Sequence, residues 1–188
     1  MLEKIATIFF THKAKSDILK TKSLVNHRIK QVDSGVLGRS LSCNPLMPRN
    51  FRSITNARPL IATHTKHLNA NPKYNIAIID TSLKKDISLV ANARHYSPFL
   101  IIHKDIFISK YQILESLVFG ADCVALSPDI LMDNSLFMLQ DYAYHLGLEV
   151  AILASKISHF QYNARIFITA KNMADSTEIP QNRLIITI

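Results

Sequence analysis

From Leu60 onward, short apolar runs alternate with stretches in which apolar residues recur every three or four positions, the pattern of parallel strands joined by helices. The runs predict seven strands, at 60–65, 76–79, 99–103, 123–126, 149–153, 165–169 and 183–188. Amphipathic spacing predicts helices over 83–94, 111–119 and 135–146, the last with Asn134 or Ser135 as its cap and Gly147 just past its end. Ahead of this body, Leu2, Ile5, Phe9 and Ile18 recur near helical spacing and predict a helix over 2–24. Gly35, Gly38, Pro45 and Pro48 mark 32–50 as a linker.

The crossovers are less regular than the strands. Only the ten residues 66–75 separate the first two predicted strands, whereas a parallel connection normally takes about a dozen or more, usually with a helix. The stretch 170–182 holds Pro180 and no sustained apolar period, and no eighth strand follows Ile188. A complete eightfold barrel typically needs about 250 residues, and this chain has 188. The expected fold is therefore α/β, a truncated TIM (β/α)8-like barrel of about seven strands, with missing or shortened helices and no eighth βα unit. Its ring is not expected to close regularly, and open strand edges would favour self-association. One globular domain is expected, with 1–48 as a basic N-terminal helix and linker and 49–188 as the partial barrel.

Composition narrows the partners. Apolar runs such as 99–102 and 150–153 fall far short of the roughly 18 residues that span a bilayer, and 5–10 is shorter than a secretory apolar region. The expectation is a cytoplasmic protein with no membrane partner. Cys43 and Cys123 lie far apart in sequence and predict reduced thiols. Residues 1–60 contain eleven Lys and Arg against Glu3, Asp17 and Asp33, so the whole formal excess of +8 belongs to the first third of the chain. These basic residues lack interleaved aromatics, which favours a solvated helical face over a nucleic-acid site. His64 and His67 are the one close histidine pair and have no carboxylate beside them, so no metal site is expected.

The most specific stretch is Ile102-His103-Lys104-Asp105-Ile106-Phe107-Ile108-Ser109-Lys110-Tyr111-Gln112-Ile113, which runs through Glu115 into Gly120-Ala121-Asp122. Lys104 stands where a strand gives way to its loop, the end of a parallel barrel that faces the active mouth. Burial can lower a lysine pKa and suit it to proton transfer, although pairing with Asp105 or simple solvation would also account for it. The stretch resembles the signature around the third barrel strand of the indole-3-glycerol-phosphate synthase family, in which a Lys-Asp-aromatic strand end leads through Tyr-Gln-Ile into a helix closed by Gly-Ala-Asp. Leu146-Gly147-Leu148-Glu149-Val150 resembles the family's approach to its fifth strand, and Asn50-Phe51 with Leu60-Ile61-Ala62 its approach to the first.

The resemblance implies a lyase of tryptophan biosynthesis. Such an enzyme condenses, decarboxylates and dehydrates a ring-opened ribulose phosphate carrying an anthranilate, without a cofactor, and Lys104 would be its general acid. Other positions depart from the family. Its Glu and Lys on the first strand become Thr63 and Thr65, with Lys66 expected to face the other way unless a bulge intervenes. Its fifth-strand glutamate becomes Leu153. Its asparagine pair falls on Thr169 and Ala170, Lys171 stands in place of an arginine, and Asn172 fits only with a slip. Ile106 replaces the pocket aromatic as the substrate-binding candidate. The family's glutamate-serine pair after the seventh strand and its later phosphate-gripping loops have no counterpart before Ile188. The expectation is thus a shortened, degenerate synthase-like protein without ring-closing activity, whose ligand, if retained, would be a small phosphorylated metabolite. A divergent carbon-carbon lyase and a basic binding module are the alternatives.

Overall fold

The computed structural model describes residues 15–43, 46–54, 56–62, 73–83, 86–174 and 182–188. An N-terminal helix α1 (Lys15–Gln31) is followed by α2 (Ser34–Ser40), β1 (Pro59–Ala62) and β2 (Ile76–Asp80). Then come α3 (Ser88–Tyr96), β3 (Leu100–Lys104), α4 (Lys110–Val118), β4 (Cys123–Leu126), α5 (Asp133–His145) and β5 (Glu149–Ala154). A 3-10 segment, Ile157–Gln161, leads to β6 (Ile166–Thr169), α6 (Lys171–Ala174) and β7 (Leu184–Thr187). The seven strands form one sheet in the order of the sequence, and every neighbouring pair is parallel.

Alternation along the strands separates two cores. Ile76, Ile78, Leu100, Ile102, Cys123, Ala125, Ala151, Leu153, Ile166, Ile168 and Ile186 point to one side and form a single cluster sealed by Phe51. Ile61 from β1 and Ile188 beyond β7 pack against that same cluster. First and last strands thus serve one interior, and the sheet curls into a nearly closed barrel of the TIM type. Residues of opposite parity, among them Ala77, Ile79, Ile101, Val124, Val150, Ile152 and Phe167, meet the outer helices, with Leu136, Leu139 and Ala143 from α5.

Several sequence expectations are corrected in detail. The stretch read as linker contains α2, because the Asp33 carboxylate accepts from the backbone N–H of Gly35 at 2.7 Å and of Val36 at 3.0 Å and so caps a helix in spite of its glycines. Helix α3 begins at Ser88 rather than at position 83, with Asp86 accepting from Ser88 N at 3.0 Å. Helix α5 is preceded by Met132, which makes no side-chain cap bond, rather than by Asn134 or Ser135. Asp133 in its first turn instead accepts from the Tyr162 hydroxyl at 2.6 Å. β1 and β2 pair in parallel despite their short connection, of which 63–72 lies outside the described residues. Of the predicted N-terminal helix 2–24, residues 2–14 also lie outside them.

The basic N-terminal segment is not simply a solvated face. Asp122, completely buried at the start of β4, accepts from Arg49 N at 2.7 Å and Arg49 Nη2 at 2.8 Å. It also pairs with Arg94 Nη1 and accepts from Ile101 N at 2.7 Å. Arg94 in turn donates to Met47 O at 2.7 Å. One carboxylate thus ties the segment leading into the barrel to α3, β3 and β4. Val25 of α1 and Leu37 of α2 pack with Tyr111 and Leu114 of α4, and Arg28 Nη1 meets Glu115 Oε2 at 3.0 Å.

Candidate functional site

The third strand presents two faces with different chemistry. Leu100 and Ile102 belong to the barrel interior, so Lys104, two residues further on, also points inward at the C-terminal end. His103 has the opposite parity: its Nδ1 lies 2.7 Å from Ser116 Oγ on α4 and its Nε2 lies 2.8 Å from Thr81 Oγ1. The histidine therefore fastens the strand to its outer helix.

Lys104 is 1% exposed. Its Nζ donates to Asp80 Oδ2 at 2.6 Å and reaches Ser82 Oγ at 3.4 Å, while the Oδ1 of the neighbouring Asp105 accepts from Ile106 N at 2.7 Å. Asp80 ends β2 directly opposite Lys104 in the strand pairing, and its Oδ1 accepts from Ser82 N at 2.9 Å and Ser82 Oγ at 2.5 Å. Neither Asp80 nor Ser82 was singled out by the sequence reading, which stopped the second strand at Ile79. The available signal was parity: an aspartate two positions after Ile78 on an inward-facing row.

The other predicted positions scatter. Thr63, Thr65, Lys66, His64 and His67 lie outside the described residues. Leu153 is buried within the inner apolar cluster, where no proton can be exchanged. Thr169 is buried and its Oγ1 donates to Ala154 O at 3.0 Å. Lys171 and Asn172 belong to the short helix α6 immediately after Ala170. The Ile106 side chain is 1% exposed, and its carbonyl accepts from Gln112 Nε2 at 2.8 Å. Gln112 Oε1 also accepts from Ile108 N at 2.9 Å, so α4 braces the loop that follows Lys104 from both sides.

A second polar cluster lies in the loops after β4 and β5. Asp129 accepts from the Ser155 hydroxyl and, at 3.0 Å, from Lys156 Nζ, while Ser155 N donates to His159 Nδ1 at 3.3 Å. Burial pushes the Asp129 carboxyl up, but the bonds from Ser155 and Lys156 outweigh it and leave the group below its ordinary value. Cys43 is exposed and Cys123 buried, both as free thiols. Among the described residues, no group of three or more His, Cys, Asp or Glu is placed to hold a metal, and no helix is long and apolar enough to cross a membrane.

Residues 80–166 match the family model for indole-3-glycerol phosphate synthase. They include Asp80, Lys104, Asp122 and Leu153. Similar curated proteins carry the same description. The chain is 30% identical over 159 residues to the indole-3-glycerol phosphate synthase of Campylobacter hominis, covering 71% of this chain and 61% of the relative. It is 31% identical over 163 residues to that of Campylobacter concisus, covering 72% and 61%. For Sulfurimonas denitrificans the figures are 29% over 164 residues, 72% and 61%. The alignments thus span about three fifths of the relatives' length. With the parallel barrel, the inward lysine at the end of β3 and these matches together, the chain is similar to the indole-3-glycerol phosphate synthase family, over residues 80–166 for the family model and over 71–72% of its length for the two Campylobacter relatives.

Proposed function

We propose that this chain keeps the barrel of a tryptophan-biosynthesis synthase but does not close the indole ring. One observation carries the reading: Lys104, the residue that would give up a proton, is buried against Asp80, while the position of the fifth-strand carboxylate is taken by Leu153 in an apolar cluster. Condensation, decarboxylation and dehydration need protons both delivered and removed at the substrate, and an acid without a base on the far side of the mouth cannot serve every step. The substitutions Thr63 and Thr65 in the sequence point the same way. Any ligand retained would be a small phosphorylated metabolite, met in the cytoplasm.

Two measurements test this. The full chain should fail to complement a tryptophan auxotroph lacking the synthase, and at high protein concentration should form no fluorescent indole-glycerol product above buffer. Turnover that Lys104→Ala abolishes would overturn the proposal and favour a divergent lyase.

A further inference from the structure

Asp80 and Lys104 are neighbours across β2 and β3, both on inward-facing rows and both at the strand ends that open on the mouth. The carboxylate divides its oxygens: Oδ1 takes the backbone N–H and hydroxyl of Ser82, and Oδ2 takes the ammonium. It is therefore held from behind by its own turn before it meets Lys104. All three residues are buried. On the opposite side of Lys104 the neighbour in the sheet is Ala125, which supplies only a methyl group to the interior.

We propose that Asp80 is the positioning residue of this mouth. It holds the Lys104 ammonium as a resident counter-ion and keeps that charge from a carboxylate or phosphate group brought in by a ligand. The proposal deepens the reading of Lys104 as the proton-bearing group and rests on it. A buried ammonium requires an anion, and here the chain itself supplies one. An anionic ligand approaching Lys104 must shed its water while facing the like charge of Asp80, so the pair rejects it. A neutral carbonyl or hydroxyl oxygen meets no such repulsion. At this point of the mouth the chain therefore discriminates against anions.

The test uses the full chain labelled at lysine side chains, with the Lys104 signal identified by its loss in Lys104→Met. Inorganic phosphate and acetate are titrated in separate experiments against the unmodified chain and Asp80→Asn. In the unmodified chain the Lys104 signal should stay in place. In Asp80→Asn it should move with either anion, at concentrations at least about tenfold lower than any response of the unmodified chain. Asp80→Glu should restore the resistance. A merely structural Asp80 would lower stability without changing the anion response, so a folded Asp80→Asn whose Lys104 ignores both anions overturns the proposal. If Asp80→Asn does not fold, the unmodified chain decides alone: a Lys104 signal that shifts with phosphate or acetate overturns it, and one that stays in place supports it. Indole-glycerol formation would sink the inactive-synthase reading without moving these signals, so the two failures are distinguishable.

Discussion

Arg28 Nη1 stands 3.0 Å from Glu115 Oε2 and ties α1 to α4 through a carboxyl that burial has pushed up to about 7, with Asp105 adding to the rise and Arg28 opposing it. Because the folded value lies above the ordinary 4.5, the folded state binds the extra proton between those two pH values. Stability contributed by this group is full below pH 4.5 and falls as pH rises through about 7. Urea titrations across that window should show a loss on the order of 1–2 kcal/mol after solvent screening. Glu115→Gln should flatten that slope, and an unchanged slope would assign it to other groups.

Asp122 is fully buried and accepts from Arg49, Arg94 and Ile101 N. Replacing it by alanine leaves two arginines without their anion and one strand N–H without its acceptor. The expected cost is about 3–5 kcal/mol, read as a lowered urea midpoint. A loss below about 1 kcal/mol would mean that water replaces the carboxylate readily.

The two glycines with positive φ should separate cleanly. Gly120 has φ +88°, and a Cβ there would lie 2.8 Å from Arg94 Cγ and 3.0 Å from Leu46 Cδ1. Gly147 has φ +80° and open space around it. Gly147→Ala should cost about 1–2 kcal/mol for the left-handed backbone alone, and Gly120→Ala clearly more. Equal thermal shifts for the two would contradict this.

Thiol labelling should be biphasic. Cys43 is exposed and should react at once, whereas burial pushes the Cys123 thiol well up and shields it inside the barrel. Its modification should follow the unfolding rate and accelerate with denaturant. Prompt labelling of both would show that the interior opens without global unfolding.

The strands were readable because buried parallel strands leave short apolar runs. β4 spans Cys123–Leu126 as expected, and the other strand ends agree to within one residue, apart from the predicted end of the first strand, which lies outside the described residues. Helix starts were less legible. Asp33 caps α2 and Asp86 accepts from Ser88 at the start of α3 through bonds within a few residues, yet Asp133 turns its carboxylate to Tyr162, which is a tertiary choice. At the site, the place of Lys104 where an apolar run gives way to its loop, with the family resemblance, singled it out as the residue facing the mouth. Its partner was missed because Asp80 is adjacent only across the sheet, 24 positions away in sequence. The family signature also proved to be largely scaffold: Gln112 braces the loop, Tyr111 donates to Val32 O at 3.0 Å, and Asp122 anchors the N-terminal segment.

β3 is gripped by a carboxylate at each end. Asp122 takes the N–H of Ile101 near its start, and Asp80 takes the ammonium of Lys104 at its finish. Between them the strand must send His103 to the hydroxyls of Thr81 and Ser116. A slide by one residue would therefore do more than turn apolar side chains to the wrong side. It would bring an imidazole into the hydrocarbon interior, turn the lysine toward a helix, and strand both carboxylates. Apolar runs such as Leu-Ile-Ile tolerate misalignment because neighbouring positions are nearly equivalent. Here three polar anchors remove that equivalence, so this strand carries its own proofreading, independent of whether the mouth it leads to performs any chemistry.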